Sequence, residues 1–220
     1  SDDAWLPQKL EKELEIFQKS DSHVGVVYSG LWQIKNNKKK YVPSSRINKK
    51  EGNIHEEILL GNFVNGLSLI REECFEKVGL FDVNLLGLVD WDLYIRISKF
   101  YEFRFVDEPL IIAPLSDDSI SINSAKIVNA YQLILEKHRD EFNLNENALA
   151  SIYGFIGSWL CIDGKLREGR KYFIKSITLN PLDLKSHFAL ISTFFGSKGY
   201  KRFFEIHKEL ISAIYKEGLV

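Results

Sequence analysis

The sequence predicts an α/β portion over residues 1–118, a mixed sheet with flanking helices, followed by an all-α helical-hairpin domain over residues 119–220. Three observations carry this reading. Short β-branched runs such as VGVVYSG (24–30) alternate with short amphipathic stretches up to about residue 115. From about residue 124 the strand signals stop and helical periodicity takes over. Between the two, SDDSIS follows Pro114 and reads as a linker, which places the boundary near residues 116–123.

PQKLEKELEIFQK (7–19) reads as a helix. Pro7 suits its first position, and Leu10, Leu14 and Phe17 make one apolar stripe at spacings of four and three. VGVVYSG is a strand. Residues 35–53 are polar and basic, with Pro43 and Gly52, and predict a long loop with Lys38, Lys39 and Lys40 at a solvated tip. IHEEILLG is a short helix and GLSLIR (66–71) a strand. REECFEKVG is another short helix, closed by Gly79. DWDLYIRISKFY (90–101) is helical, with Tyr94, Ile97 and Tyr101 on one side. FRFVDEPLIIAPL then gives two short strands punctuated by Pro109 and Pro114.

The helices of the second part are expected over residues 124–140, 145–163, 166–179, 184–195 and 200–217. Tyr153, Ile156, Gly157, Leu160, Gly169, Phe173, Ser176 and Pro181 match the tetratricopeptide spacing of large, large, small, large, small, aromatic, small, proline. The small residues let two helices approach closely, and the proline ends the second. The pair starting near Leu184 matches only loosely, and a generic helical bundle is the alternative. Such solenoids need roughly three repeats for stability, so this tail is expected to lean on the preceding domain or to continue a short array.

Composition excludes several classes. Lys plus Arg is 29 and Asp plus Glu is 30, a net charge of −1, which gives no reason to expect bulk binding of nucleic acid or an anionic membrane. Cys74 and Cys161 lie far apart and form neither a metal spacing nor a disulfide framework, which suits a reducing, cytoplasmic setting. No run reaches the ~18 apolar residues of a membrane span, and no signal peptide is recognisable. Peripheral attachment to the inner face of the cell membrane stays open. The five histidines (His23, His55, His138, His187, His207) are scattered, without an i, i+4 pair, and read as surface or packing residues. Tyr28, Trp32 and Trp91 are sized to stack on sugar rings, with core packing the expected role of Tyr28.

Two acidic sites stand out. Asp2 and Asp3 open the chain just before a helix. They read either as a cap or, on a strand-to-helix turn, as ligands of a hard divalent cation that completes its shell with phosphate oxygens. In VDWDLYIRIS (89–98), Asp90 and Asp92 open a helix, and Arg96 stands four residues after Asp92. Asp90 is either the N-cap or a carboxylate exposed to take a proton from a hydroxyl. A hydrolase using Asp90 and Asp92 as its acid pair is disfavoured, because residues two apart on a helix do not face each other.

SDDAWLPQKLEKEL resembles the family 2 glycosyltransferase segment that reads Asp-x-Asp-Asp, two residues, Leu-Pro, x-Lys-Leu. GNFVNGLSLIREECFEKVGLFD is similar to the family's strand, Arg, helix and Gly-x-Phe-Asp stretch. VDWDLYIRIS is similar to its Glu-Asp-Trp-Asp-Leu helix start, and FRFVDEPLII to its strand pair. These occur in the family's order over residues 1 to about 115. The resemblance implies a GT-A glycosyltransferase, inverting and metal-dependent, that moves a sugar from a nucleotide-diphosphate sugar such as a UDP-sugar to a glycan or lipid-linked acceptor in cell-surface polysaccharide or glycoconjugate synthesis. It implies that Asp2 and Asp3 hold Mg²⁺ or Mn²⁺ and that Asp90 is the general base. It further implies that Trp91 shapes the acceptor side and that Gly66, Leu67 and Ser68 form the floor beneath the acceptor.

Two departures accompany it. The family's Asp-x-Asp begins one residue before Ser1, and its nucleotide-binding β-α-β half would lie upstream. The chain also contains no methionine. It is therefore expected to be a piece of a longer product, inactive alone. Val89 stands where the family usually has Glu. The competing expectation is a non-catalytic interaction module, with the helical tail binding a protein or dimerising.

Overall fold

The computed structural model describes residues 3–35, 38–43, 50–114 and 124–214, without the side chains of Lys35 and residues 207–214. The chain divides into two compact units, residues 1–120 and 121–220. The linker predicted at 116–123 lies outside the described residues.

The first unit is a five-stranded mixed sheet with four helices among the described residues. Its elements are β1 (Ala4–Trp5), α1 (Lys9–Lys19), β2 (Val24–Lys35), β3 (Lys38–Val42), α2 (His55–Leu60), β4 (Leu69–Ile70), α3 (Glu72–Val78), α4 (Val89–Ile97) and β5 (Glu102–Pro114). The strand order is β1-β5-β2-β3, and β4 pairs with β2. Among the described residues only β2 and β5 run parallel; the other pairs are antiparallel.

Central strands covered on both faces read as continuous apolar runs. Val24, Val26, Val27 and Tyr28 of β2 are all fully buried, as expected of a run with two covered faces. Tyr28 belongs to this core, and its hydroxyl donates to Lys50 O at 2.7 Å.

Several sequence expectations are corrected. The residues read as a loop tip, Lys38 to Lys40, are an edge strand paired with the end of β2. Lysines are common on edge strands because their charge discourages further pairing, and that same composition resembles a loop. Lys39 lies over the Trp32 ring at 4.2 Å, and Tyr41 meets Trp32 edge-on. The two strands expected around Pro109 are one strand. Ser29 pairs with Val106 and Gly30 with Pro109, so Asp107 and Glu108 bulge out of the ladder. The strand read over 66–71 is only Leu69–Ile70.

The face of α1 is also reversed. Leu10 and Leu14 are 45% and 42% exposed, while Lys9 and Glu13 are fully buried. The Lys9 ammonium donates to Glu13 Oε2 at 2.6 Å and to Leu67 O at 2.8 Å, and lies 4.4 Å from the centre of the Trp5 ring.

The second unit contains α5 (Ser124–Lys137), α6 (Arg139–Leu144), α7 (Glu146–Ile162), α8 (Leu166–Leu179), α9 (Leu184–Ser192), a 3-10 turn (Thr193–Phe195) and α10 (Gly196–Ile214). The single helix expected over 124–140 breaks at His138, and the last begins at Gly196 rather than near residue 200. The Asn145 side chain caps α7 by accepting from Ala148 N–H at 3.0 Å. The small residues lie where α7 and α8 meet. A Cβ on Gly157 would come within 3.1 Å of Gly169 O, and one on Gly169 within 2.8 Å of Gly157 O. Ser176 is buried, and its hydroxyl donates to Ala150 O at 2.9 Å. Cys161, Phe173, Ala189 and Tyr200 form the core beside it.

Gly169→Ala should therefore drive the two helices apart. The expected cost is about 1–3 kcal/mol, read as a lower melting temperature, and an unchanged melting temperature would contradict this packing.

Candidate functional site

Asp90 sits in the first turn of α4. The residue that caps this helix is Leu88, not Asp90, and it does so with φ 57° and ψ 27°. A left-handed conformation in a bulky L-residue is uncommon and costs roughly 1–2 kcal/mol. It turns the chain sharply into α4 so that Asp90 is presented at the helix's positive end.

The Asp90 carboxylate is held at both oxygens. Asn62 Nδ2 donates to Oδ2 at 3.0 Å, and the Trp91 backbone N–H donates to Oδ1 at 2.9 Å. Part of Asp90 stays open to solvent. Burial of the rest raises its pKa above the ordinary Asp value, against the pull of the Asn62 and backbone hydrogen bonds. A carboxylate held higher than usual is a better proton acceptor, which is what a general base requires.

The floor beside it is the segment 65–68. Gly66 is exposed, and a Cβ there would lie 3.4 Å from Asp90 Oδ2. Glycine thus leaves the approach to that oxygen clear. Asn65 ties the segment down: its Nδ2 donates to Ser29 O at 2.7 Å and its Oδ1 accepts from Leu67 N–H at 3.1 Å. The Ser68 and Tyr94 hydroxyls both donate to Asn65 O, at 2.7 and 2.8 Å. Asp90, Gly66, Leu67 and Ser68 are therefore brought together.

The remaining acids separate. Asp92 is fully buried. Its Oδ2 accepts from Arg96 Nε and Nη2 at 3.0 and 2.9 Å. The same guanidinium donates to Val78 O, to Gly79 O at 3.1 Å and to Leu80 O at 2.9 Å. Asp92 thus fixes α4 to the end of α3 and does not partner Asp90. Trp91 is 1% exposed, and its indole N–H donates to Ile58 O at 2.7 Å, so the ring braces α2 against α4 beneath Asp90.

Asp2 lies outside the described residues. Asp3 is exposed and immediately precedes β1, an edge strand paired with β5 through Ala4 and Ile112. Asp3 therefore stands at the lip of the sheet, with β1 between it and α1. Among the described residues no three His, Cys, Asp or Glu side chains converge. Mg²⁺ and Mn²⁺ are hard ions that take one or two carboxylates and fill their shells with water and phosphate oxygens, and Asp3 is the described carboxylate of that expected pair.

Sequence reasoning missed Asn62, Asn65, Leu88 and the Lys9–Glu13 pair. The asparagines and Leu88 carry no motif signal, and the i,i+4 spacing of Lys9 and Glu13 did not reveal that the pair is buried.

No family model matches this chain. It is similar to an uncharacterized glycosyltransferase of Rickettsia typhi, 28% identical over 137 residues, 60% of this chain and 43% of that protein. An uncharacterized glycosyltransferase of Rickettsia prowazekii is 29% identical over 143 residues, 63% of this chain and 43% of that one. A third, from Rickettsia conorii, is 31% identical over 115 residues, 50% of this chain and 19% of its own length. The chain spans less than half the length of these curated relatives. Among the described residues no helix is long and apolar enough to cross a membrane.

Proposed function

We propose that the first unit is the acceptor-side part of an inverting, family 2-like GT-A glycosyltransferase that uses a nucleotide-diphosphate sugar. The observation that carries this reading is the Asp90 carboxylate, desolvated yet partly open, aimed past Gly66 and held by Asn62 and the Trp91 amide. The similarity to rickettsial proteins called glycosyltransferases supports it.

In this mechanism an acceptor hydroxyl of a glycan or lipid-linked substrate donates to Asp90 Oδ2 across the space left by Gly66. As the oxygen attacks the anomeric carbon, its proton passes to Asp90. The new carbon–oxygen bond forms on the face opposite the breaking bond to the diphosphate, which inverts the configuration. Leu67 and Ser68 form the floor under the acceptor, and the buried Trp91 ring, bonded to Ile58 O, steadies α4 behind Asp90. Asp3, with Asp2, would hold Mg²⁺ or Mn²⁺, which when bound would neutralise charge on the diphosphate. The setting is the cytoplasmic side of a membrane where surface glycans are built.

The second unit is proposed to be a tetratricopeptide-like hairpin array that binds a partner protein or a second copy. Leu184, Phe188 and Ile191 support this, since they stay exposed in one row along α9. If the first unit is non-catalytic, that row makes an interaction module the better account of the whole chain. The test of the enzyme reading is acceptor-dependent release of nucleoside diphosphate by the full-length gene product, wild type beside Asp90→Asn. Equal release by both would overturn it.

A further inference from the structure

Two charges on one helix of the first unit are paired with each other and removed from water. Lys9 and Glu13 are both fully buried, while the neighbouring Leu10 and Leu14 are exposed. A buried ion pair is a poor way to gain stability, because the loss of hydration rivals the attraction. This pair also reaches outside its helix. The ammonium that meets Glu13 at 2.6 Å spends a second hydrogen bond, 2.8 Å, on the carbonyl of Leu67.

Leu67 follows Gly66, the residue that faces Asp90 Oδ2. From the other side, Tyr94 of α4 and Ser68 both grip Asn65 O, and their hydroxyls lie 3.0 Å apart. The segment 65–68 is thus clamped between α1 and the helix that carries Asp90. The α4 clamp, with the Asn65 side chain bonded to Ser29 O, fixes residue 65. The Gly66–Leu67 peptide is tied on its N–H side to Asn65 Oδ1, and the next peptide is held from α1 through Leu67 O, so the gap in front of Asp90 is set with a pull from α1.

We propose that the buried Lys9–Glu13 pair is a positioning element for Asp90, acting through the Leu67 carbonyl to set how closely Gly66 lies against the carboxylate. The inference rests on the proposed function of Asp90 for its consequence, but its geometry does not need catalysis to be measured.

The test is carboxyl-carbon NMR titration of Asp90 in this chain, with the amide shifts of Gly66 and Leu67 followed in parallel. The informative variant is the double replacement Lys9→Met with Glu13→Leu. It removes one charge of each sign, so a change at Asp90 reports the loop rather than a net field. Apolar replacement of a buried pair is often tolerated, which favours a folded variant. The other polar groups facing Asp90 (the Asn62 amide, the Trp91 and Asp90 backbone N–H groups and the Tyr94 phenol) are left in place.

The expected result is a fall in the Asp90 midpoint of about half a pH unit or more toward the ordinary value, as the freed loop admits water. Displaced Gly66 and Leu67 amide signals should accompany it. Should the double variant not fold, Glu13→Gln keeps the side-chain size and frees Lys9 from its counter-charge; the same amide signals should move. A folded variant with the Asp90 midpoint and both amides unchanged would overturn the proposal and leave the pair a packing feature. Failure of the proposed function reads differently: Asp90→Asn would leave turnover intact while this titration still shifted.

Discussion

Asp90→Asn should reduce turnover of the full-length gene product by a hundred- to ten-thousandfold while leaving the first unit folded. That is the range removed with a positioned general base. Asparagine has the same size as aspartate, and its carbonyl oxygen can still accept from the Trp91 amide, so α4 should keep its first turn. What is lost is the site for the proton. The pH dependence follows from the environment. Burial holds the Asp90 pKa above the ordinary Asp value. A base must be ionised to act, so wild-type kcat/KM should rise as pH increases through that raised midpoint and level off above it. Asp90→Asn should show no such limb. A variant that keeps both the rate and the limb would remove Asp90 from the chemistry.

Lys9→Met should destabilise the first unit by about 3–5 kcal/mol near neutral pH, because it leaves Glu13 buried without a counter-charge. The pH signature separates this from simple loss of packing. Burial already raises the Glu13 pKa, against the pull of the Lys9 ammonium and the nearby Ser29 hydroxyl. Without Lys9 the folded-state pKa rises further. A carboxyl whose folded pKa exceeds its unfolded value contributes its stability fully below the unfolded pKa, and that contribution is lost as pH rises through the folded pKa. The gap between variant and wild type should therefore be smallest near pH 4 and widen toward pH 7 in denaturant titrations. A gap independent of pH would mean that Glu13 finds another partner.

These two residues also mark what the sequence makes legible. Asp90, Asp92 and Arg96 lie within seven consecutive positions of one helix, so their spacing suggested an Asp92–Arg96 pair but left Asp90 open between N-cap and base. The structure assigns Asp92 to Arg96 and leaves Asp90 facing Gly66. α1 was legible as a helix but not in its orientation. Its apolar stripe suggested that Leu10 and Leu14 face inward, whereas the inward face carries a lysine and a glutamate. Periodicity assumes that buried means apolar, and a charge pair satisfied within four residues defeats that assumption.

β3 was hidden for a related reason. Its lysines protect an edge, and an edge strand of that composition resembles a loop. Leu88 gives no sign of its left-handed backbone, since leucine is neither of the residues that commonly adopt it. Asn62 and Asn65 are ordinary loop asparagines until the chain folds them against Asp90 and Ser29. Motif residues could be read from order along the chain, but the groups that hold them could not.

The most direct test of a nucleotide-sugar transferase is calorimetric titration of UDP into the full-length gene product, with and without Mn²⁺, beside Asp3→Ala and Asp90→Asn. The account predicts binding that requires the metal, weakens about tenfold or more in Asp3→Ala and persists in Asp90→Asn. Absence of UDP binding under all conditions, or binding indifferent to both metal and Asp3, would contradict it and favour an interaction module built on this fold.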